Sequence, residues 1–261
     1  MRRRLSLFAV LAMAFTACQS VPYTGRSRVL LVSPGEEKKL GEQAYADILK
    51  KGKLSTNREQ VDLLRRIGMR LAKVADKPDF QWEFNLLDDD KQINAFCLPG
   101  GKVAFYTGIL PVTAGEDGIA VVMSHEIAHA LARHGGERMS QGVLANTGGQ
   151  VLGAVLGGPG GSQVTSQMYQ QIYGLGAGLV VLGYSRKQES EADHIGLILM
   201  AKAGYDLEAS VSFWGRMAQA TGGKGGSNPL EKFLGTHPGS AERQAQLKAW
   251  IPEVRAKYSK P

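Results

Sequence analysis

His125-Glu126-Ile127-Ala128-His129 sets two imidazoles four residues apart, with a carboxylate beside the first. On a helix, positions i and i+4 lie about 40° apart around the axis, so both rings can reach one metal ion. Glu126 then stands close enough to take a proton from a water that the metal activates, and is not itself placed as a ligand. Zinc suits the task, because it polarises a carbonyl and acidifies water without redox chemistry. The chemistry implied is hydrolysis.

A catalytic zinc needs a third protein ligand and an open fourth position. Glu189 is the best candidate, on a helix whose start is marked by the capping box Ser185…Gln188. Asp193 lies one turn further on the same face, where a carboxylate can accept the remaining N–H of a liganding histidine. Glu191 stands about 200° around that helix from Glu189, off the ligand face. Gly196 continues the Glu189/Asp193 stripe and would let the two helices approach closely. A solvated acidic face beside Arg186 and Lys187 is the competing reading, and it weakens only next to the histidine motif. His134 and His194, five residues beyond His129 and Glu189, match no ligand face and are expected to be structural.

The elements that must position these groups are legible in outline. Glu116 to His134 reads as one helix, with Met123, Ile127, Ala130 and Leu131 opposite the histidines. Ser33-Pro34-Gly35-Glu36 marks a helix start, and Thr56 with Glu59 repeats the signal ahead of Val61, Leu64, Leu71 and Val74. Gln81 to Leu87 alternates as a strand, and Lys102 to Thr107 follows the Pro99-Gly100-Gly101 turn as another. Helices are expected over Ser185–Gly204, over Asp206–Gln219, and after a cap at Ser240. Residues 139–185 carry no charged side chain. They read as a helical hairpin, Val143–Leu156 and Ile172–Leu182, with a Gly/Ser/Gln tip around Gly157–Gln163; core packing is favoured over a lid or membrane contact. The fold expected is α+β, mostly helical, with a small edge-exposed sheet.

The histidine motif, followed about sixty residues later by Ser185-Arg186-Lys187-Gln188-Glu189-Ser190-Glu191-Ala192-Asp193, resembles the gluzincin family of HtpX, CAAX prenyl proteases and Oma proteases. Within it the chain is similar to the compact periplasmic lipoprotein members of LoiP and BepA type. Asn94-Ala95-Phe96-Cys97-Leu98-Pro99-Gly100-Gly101 sits where that family has Asn-Ala-Phe-Ala-x-Pro-Gly ahead of its cleft-edge strand, with Cys97 as a small buried replacement for alanine. The resemblance implies a zincin-like domain, His125, His129 and Glu189 as zinc ligands, and Glu126 as general base. It also places Thr236-His237-Pro238 and Arg243 near the zinc. A positive group there can stabilise an oxyanion, His237 can hold the open zinc position and keep the site latent, or His237 is a turn residue and Arg243 pairs with Asp193. Substrate is expected to add as a strand to the Lys102–Thr107 edge, with Asn94, Val103 and Phe105 as contacts.

With 261 residues, 43% of them hydrophobic, the chain can bury a core of one domain. Its formal charge of +7 includes Arg2, Arg3 and Arg4. No basic run with interleaved aromatics appears, so nucleic acid is not an expected partner. Those arginines, the apolar run Leu5–Phe15 and the small residues before Cys18 read as an export signal over 1–17. The cysteine after them resembles that of a bacterial lipobox, which implies Cys18 as a lipidation site, 18–32 as a tether and 33–261 as a single catalytic domain. Gln19 points, by analogy with lipoprotein sorting, to a periplasm-facing outer-membrane lipoprotein. Only Cys97 remains besides Cys18, which excludes a disulfide framework. The expected function is zinc-dependent cleavage of unfolded or misassembled envelope proteins. A chaperone or assembly factor with a gated or vestigial zinc site is the alternative, and Glu126 argues against it.

Overall fold

The computed structural model describes residues 18–142, 184–221, 237 and 241–259. The segments expected as an export signal (1–17), as a helical hairpin (Val143–Leu182) and as a cap at Ser240, with the glycine-rich stretch after 221, lie outside the described residues. The fold is α+β and mostly helical. Among the described residues no helix is long and apolar enough to cross a membrane.

Cys18–Ser20 (β1) pairs antiparallel with Ser27–Val29 (β2). Residues 18–32, expected as a tether, are therefore a packed hairpin with Val21, Leu30 and Val32 buried. Its apolar residues are too few and too irregular to declare a strand in the sequence. Pro34–Lys51 (α1) starts at the expected capping box, with Ser33 and Glu36 bonded reciprocally. Arg58–Val74 (α2) is capped by Asn57 rather than Thr56; its side chain accepts from the Gln60 N–H. Leu64, Ile67 and Leu71 of α2 are fully buried, and Gly68 lets the Phe84 ring lie directly on the helix backbone.

Glu83–Leu87 (β3), Ala95–Leu98 (β4) and Lys102–Tyr106 (β5) form a three-stranded sheet in the order β3-β5-β4. β5 runs parallel to β3 and antiparallel to β4, with Cys97 opposite Val103 and Ala95 opposite Phe105. Lys102–Tyr106 is thus the central strand, not the edge expected for it. Val103 and Phe105 are fully buried, so they are core residues and cannot serve as the substrate contacts assigned to them. The hydrophobic run of β5 has a physical reason: a central strand is covered on both faces and flanked on both edges. The cleft edge falls to β4.

A short turn of helix, Leu110–Thr113 (α3), leads into Glu116–Leu131 (α4), where every residue from Gly118 to Leu131 is buried. The helix stops three residues before the expected His134. Arg133 adopts φ +50°, and a new helix (α5) runs from 134 to 142. Arg186–Ala203 (α6) begins at the Ser185–Gln188 capping box and ends on left-handed Gly204, φ +74°, both as expected. Glu208–Thr221 (α7) and Ala241–Tyr258 (α8) complete the helical layer.

Candidate metal centre

α4 is apolar behind, with Met123, Ile127 and Leu131 at or below 2% exposure, so the opposite side of the helix faces α6 and β4. α6 lies against it at Gly196, where a Cβ would come within 3.2 Å of the His125 backbone nitrogen. That close approach sets Glu189 and Asp193 against the two histidines.

Nε2 of His125 and Nε2 of His129 are 3.1 Å apart. Glu189 Oε1 is 3.4 Å from His129 Nε2, and Glu189 Oε2 is 3.4 Å from His125 Nε2. His237 joins them, with Nδ1 3.2 Å from His125 Nε2 and 3.1 Å from Glu189 Oε1. All four ligand atoms lie within 4.8 Å of one another, and all four residues are buried. Ligands about 2.0–2.1 Å from a tetrahedral ion are separated by roughly 3.3 Å, which is the spacing these atoms show. Glu126 Oε1 is buried without a hydrogen-bond donor among the described residues, its contact with His237 Nε2 being 3.5 Å long. The nitrogen and carboxylate donor set therefore fits one metal ion, with a carboxylate beside it.

Electrostatics sort the roles. Burial would raise the Glu189 carboxyl, but His237, His125 and His129 hold it well below the usual range. Burial pushes His129 well below the ordinary histidine value, keeping the neutral imidazole that ligation requires. His125 is also buried, yet Asp193 and Glu189 outweigh that and push it up to about 9. Glu126 is raised by burial, offset in part by His237 and His125, which makes its carboxylate a stronger base than an exposed one.

Asp193 Oδ1 is 3.0 Å from His125 Nδ1, the position expected for a carboxylate behind a ligand. Arg243 is buried, donates to both Asp193 oxygens at 2.6 Å, and places Nη1 2.9 Å from Glu189 Oε2. It also lies over the Trp214 ring, 3.7 Å from the centroid. Its guanidinium thus bridges the two acids, Asp193 and Glu189. Glu191 lies outside the cluster, as its helical angle implies. His194 stacks on Trp250 at 4.7 Å and is structural.

Three participants were not foreseen in these roles. Tyr184 stacks on His129, centroids 3.8 Å apart; its place just before the Ser185 cap is the only sequence cue. Trp214 carries no cue beyond its apolar helix. His134 meets His129 through a helix break that periodicity does not reveal. The cleft itself runs between β4 (Ala95 to Leu98) and the Glu126–His129 side of α4, with Arg133 just beyond the helix end. Asn94 sits at the start of β4, its carbonyl accepting from the Tyr106 N–H. Cys97 lines this cleft as a small buried residue, its thiol pushed well up by burial.

Residues 58–251 match the profile of Peptidase family M48. The chain is 35% identical to the mitochondrial metalloendopeptidase OMA1 of Schizosaccharomyces pombe over 93% of its own length and 69% of the relative's. It is 32% identical to the Saccharomyces cerevisiae protein of that name, over 94% and 72%. The beta-barrel assembly-enhancing protease of Escherichia coli matches at 26% over 92% of this chain and 48% of its own. These relatives correct the expectation of an outer-membrane lipoprotein: the proteins matching at higher identity are mitochondrial enzymes, which do not fit that address. Family and site together imply a bound metal. The chain is a metalloendopeptidase that belongs to Peptidase family M48.

Proposed function

We propose that the chain is a zinc-dependent endopeptidase acting on unfolded or extended protein segments, with His125, His129 and Glu189 as ligands and Glu126 as general base. The observation that supports this most directly is the convergence of four buried ligand atoms within 4.8 Å beside a buried carboxylate. Zinc bound there would polarise the scissile carbonyl and bring the attacking water's pKa toward neutrality. Glu126 accepts the proton of that water and hands it to the leaving amine. Asp193 orients His125, and Arg243 holds Asp193 and Glu189 while balancing their charge. A substrate segment pairs with the edge of β4, whose second side carries no strand among the described residues. Main-chain pairing of this kind selects extended over folded substrates. His237 supplies the fourth ligand atom and closes the site until substrate displaces it.

Metal analysis and cleavage of an unfolded test protein by parent and Glu126→Gln chains test the reading. One zinc per chain is expected in both, with cleavage by the variant slower by about 10²–10⁴-fold. Equal cleavage would remove Glu126 from the mechanism. Unimpaired substrate protection without cleavage in the parent would favour a binding role instead.

A further inference from the structure

On an unbroken helix His134 would stand about 140° around the axis from His129. The break at Arg133, with φ +50°, turns the chain back, and His134 Nδ1 lies 2.8 Å from His129 Nδ1. His134 has no solvent exposure. Its other nitrogen, Nε2, is 3.0 Å from Glu191 Oε2. Glu191 in turn accepts from Arg26 Nε at 2.8 Å and from the Thr24 hydroxyl, both on the hairpin of β1 and β2. Arg26 also donates to both Glu137 oxygens, at 2.6 and 2.7 Å. A continuous run of hydrogen bonds thus joins the metal cluster to the N-terminal hairpin.

The hydrogens along this run can be placed by elimination. His129 turns Nε2 toward His125 and Glu189. A nitrogen that gives its lone pair to a cation carries no hydrogen, so the ring hydrogen of His129 sits on Nδ1. Two Nδ1 atoms 2.8 Å apart need one hydrogen between them. His129 supplies it, so His134 accepts there and carries its own hydrogen on Nε2, donated to the Glu191 carboxylate. Glu191 points away from the ligand face of α6, and the imidazole of His134 spans the gap.

We propose that His134 and Glu191, clamped by Thr24 and Arg26, form a positioning chain that fixes the tautomer and ring orientation of His129. The N-terminal hairpin thereby becomes part of the hydrolytic centre. Asp193 stands in the corresponding place behind His125, Oδ1 3.0 Å from Nδ1; behind His129 that place is taken by an interposed histidine. This rests on the reading of His129 as a metal ligand.

The test is zinc affinity of the full chain, by competition with a chromophoric chelator, for parent, His134→Leu, His134→Asn and Arg26→Gln, with His129→Ala as control. His134→Leu fills the space but removes the acceptor, and weakens zinc binding about 10–100-fold. His134→Asn restores an acceptor oxygen near Nδ1 and recovers most of that loss. Arg26→Gln, which leaves His134 in place, weakens binding by several-fold and carries the test if His134→Leu does not fold. Parent-like affinity in His134→Leu or Arg26→Gln would overturn the proposal, as would an Asn variant no better than Leu. An unchanged affinity in His129→Ala would instead overturn the metal-ligand reading beneath it.

Discussion

Gly196 of α6 rests on the backbone of His125: a Cβ there would stand 3.2 Å from the His125 nitrogen and 3.3 Å from its Cα. The position of His125 is therefore set by the absence of a side chain on the opposing helix. Gly196→Ala gains helix propensity of about 1 kcal/mol, while crowding against rigid backbone costs about 1–3 kcal/mol. Stability should fall by up to about 2 kcal/mol, and α4 must shift by a few tenths of an ångström under His125. Zinc affinity is expected to fall several-fold, measured at a temperature where parent and variant are both fully folded. Gly196→Val should lose both.

Asp193→Asn separates positioning from ligation. Asp193 is the shared partner of His125 and Arg243, and burial would raise it were it not held down by Arg243 and His125. The asparagine leaves the buried Arg243 with one fewer charge to balance. A broken buried pair of this type costs about 3–5 kcal/mol. Denaturant unfolding of the metal-free chain should show that loss, and chelator competition a further weakening of zinc binding of about 10–100-fold. Loss of zinc binding without loss of metal-free stability would mean that Arg243 does not depend on Asp193.

The two helices of the site were legible because their signals are local. The i, i+4 histidines, the Ser185 cap and the Glu189/Asp193/Gly196 stripe each follow from helical angles alone. What stayed hidden depends on contacts between distant segments. Lys102–Tyr106 reads as a strand, but whether a strand is central or at the edge depends on its partners, and β4 flanks it where an edge was expected. Arg133 in the left-handed region breaks a helix whose apolar pattern continues past it. That positive φ is held by the Arg133 side chain, which donates to Glu37 and to the Val32 carbonyl. Arg243 illustrates a third limit: its pairing with Asp193 is one of several readings the sequence allows, and its burial and its contacts to both Asp193 and Glu189 come from the fold.

Acid should loosen the hairpin before it disturbs the core. Burial would raise the Glu137 carboxyl, yet its bonds to Arg26 and Gln188 bring it below the ordinary value of 4.5. A folded-state pKa below the unfolded one gives stability that is present above the unfolded value and is lost as pH falls through the folded value. The Glu137 contribution is thus complete above about pH 5 and fades below it. Glu137→Gln is expected to be less stable than the parent at pH 7, with the gap closing as pH falls below 4.5. Urea midpoints of both proteins across that range check it, and a gap independent of pH would assign the difference to packing.

His237 turns Nδ1 into the cluster, 3.1 Å from Glu189 Oε1, while its Nε2 approaches Glu126 Oε1 at 3.5 Å. It therefore stands where both a fourth ligand and a substrate carbonyl would have to be. Four protein ligands close a zinc site, whereas catalysis requires a position for substrate. If the closed arrangement holds about nine molecules in ten, removing the imidazole raises the competent fraction about tenfold. His237→Ala should accordingly cleave an unfolded test protein faster than the parent, by up to that factor, while binding zinc more weakly. Metal-saturating conditions keep the two effects apart. A collapse of cleavage with zinc still bound would place His237 among the groups that assist the reaction, and the closing role would have to be abandoned.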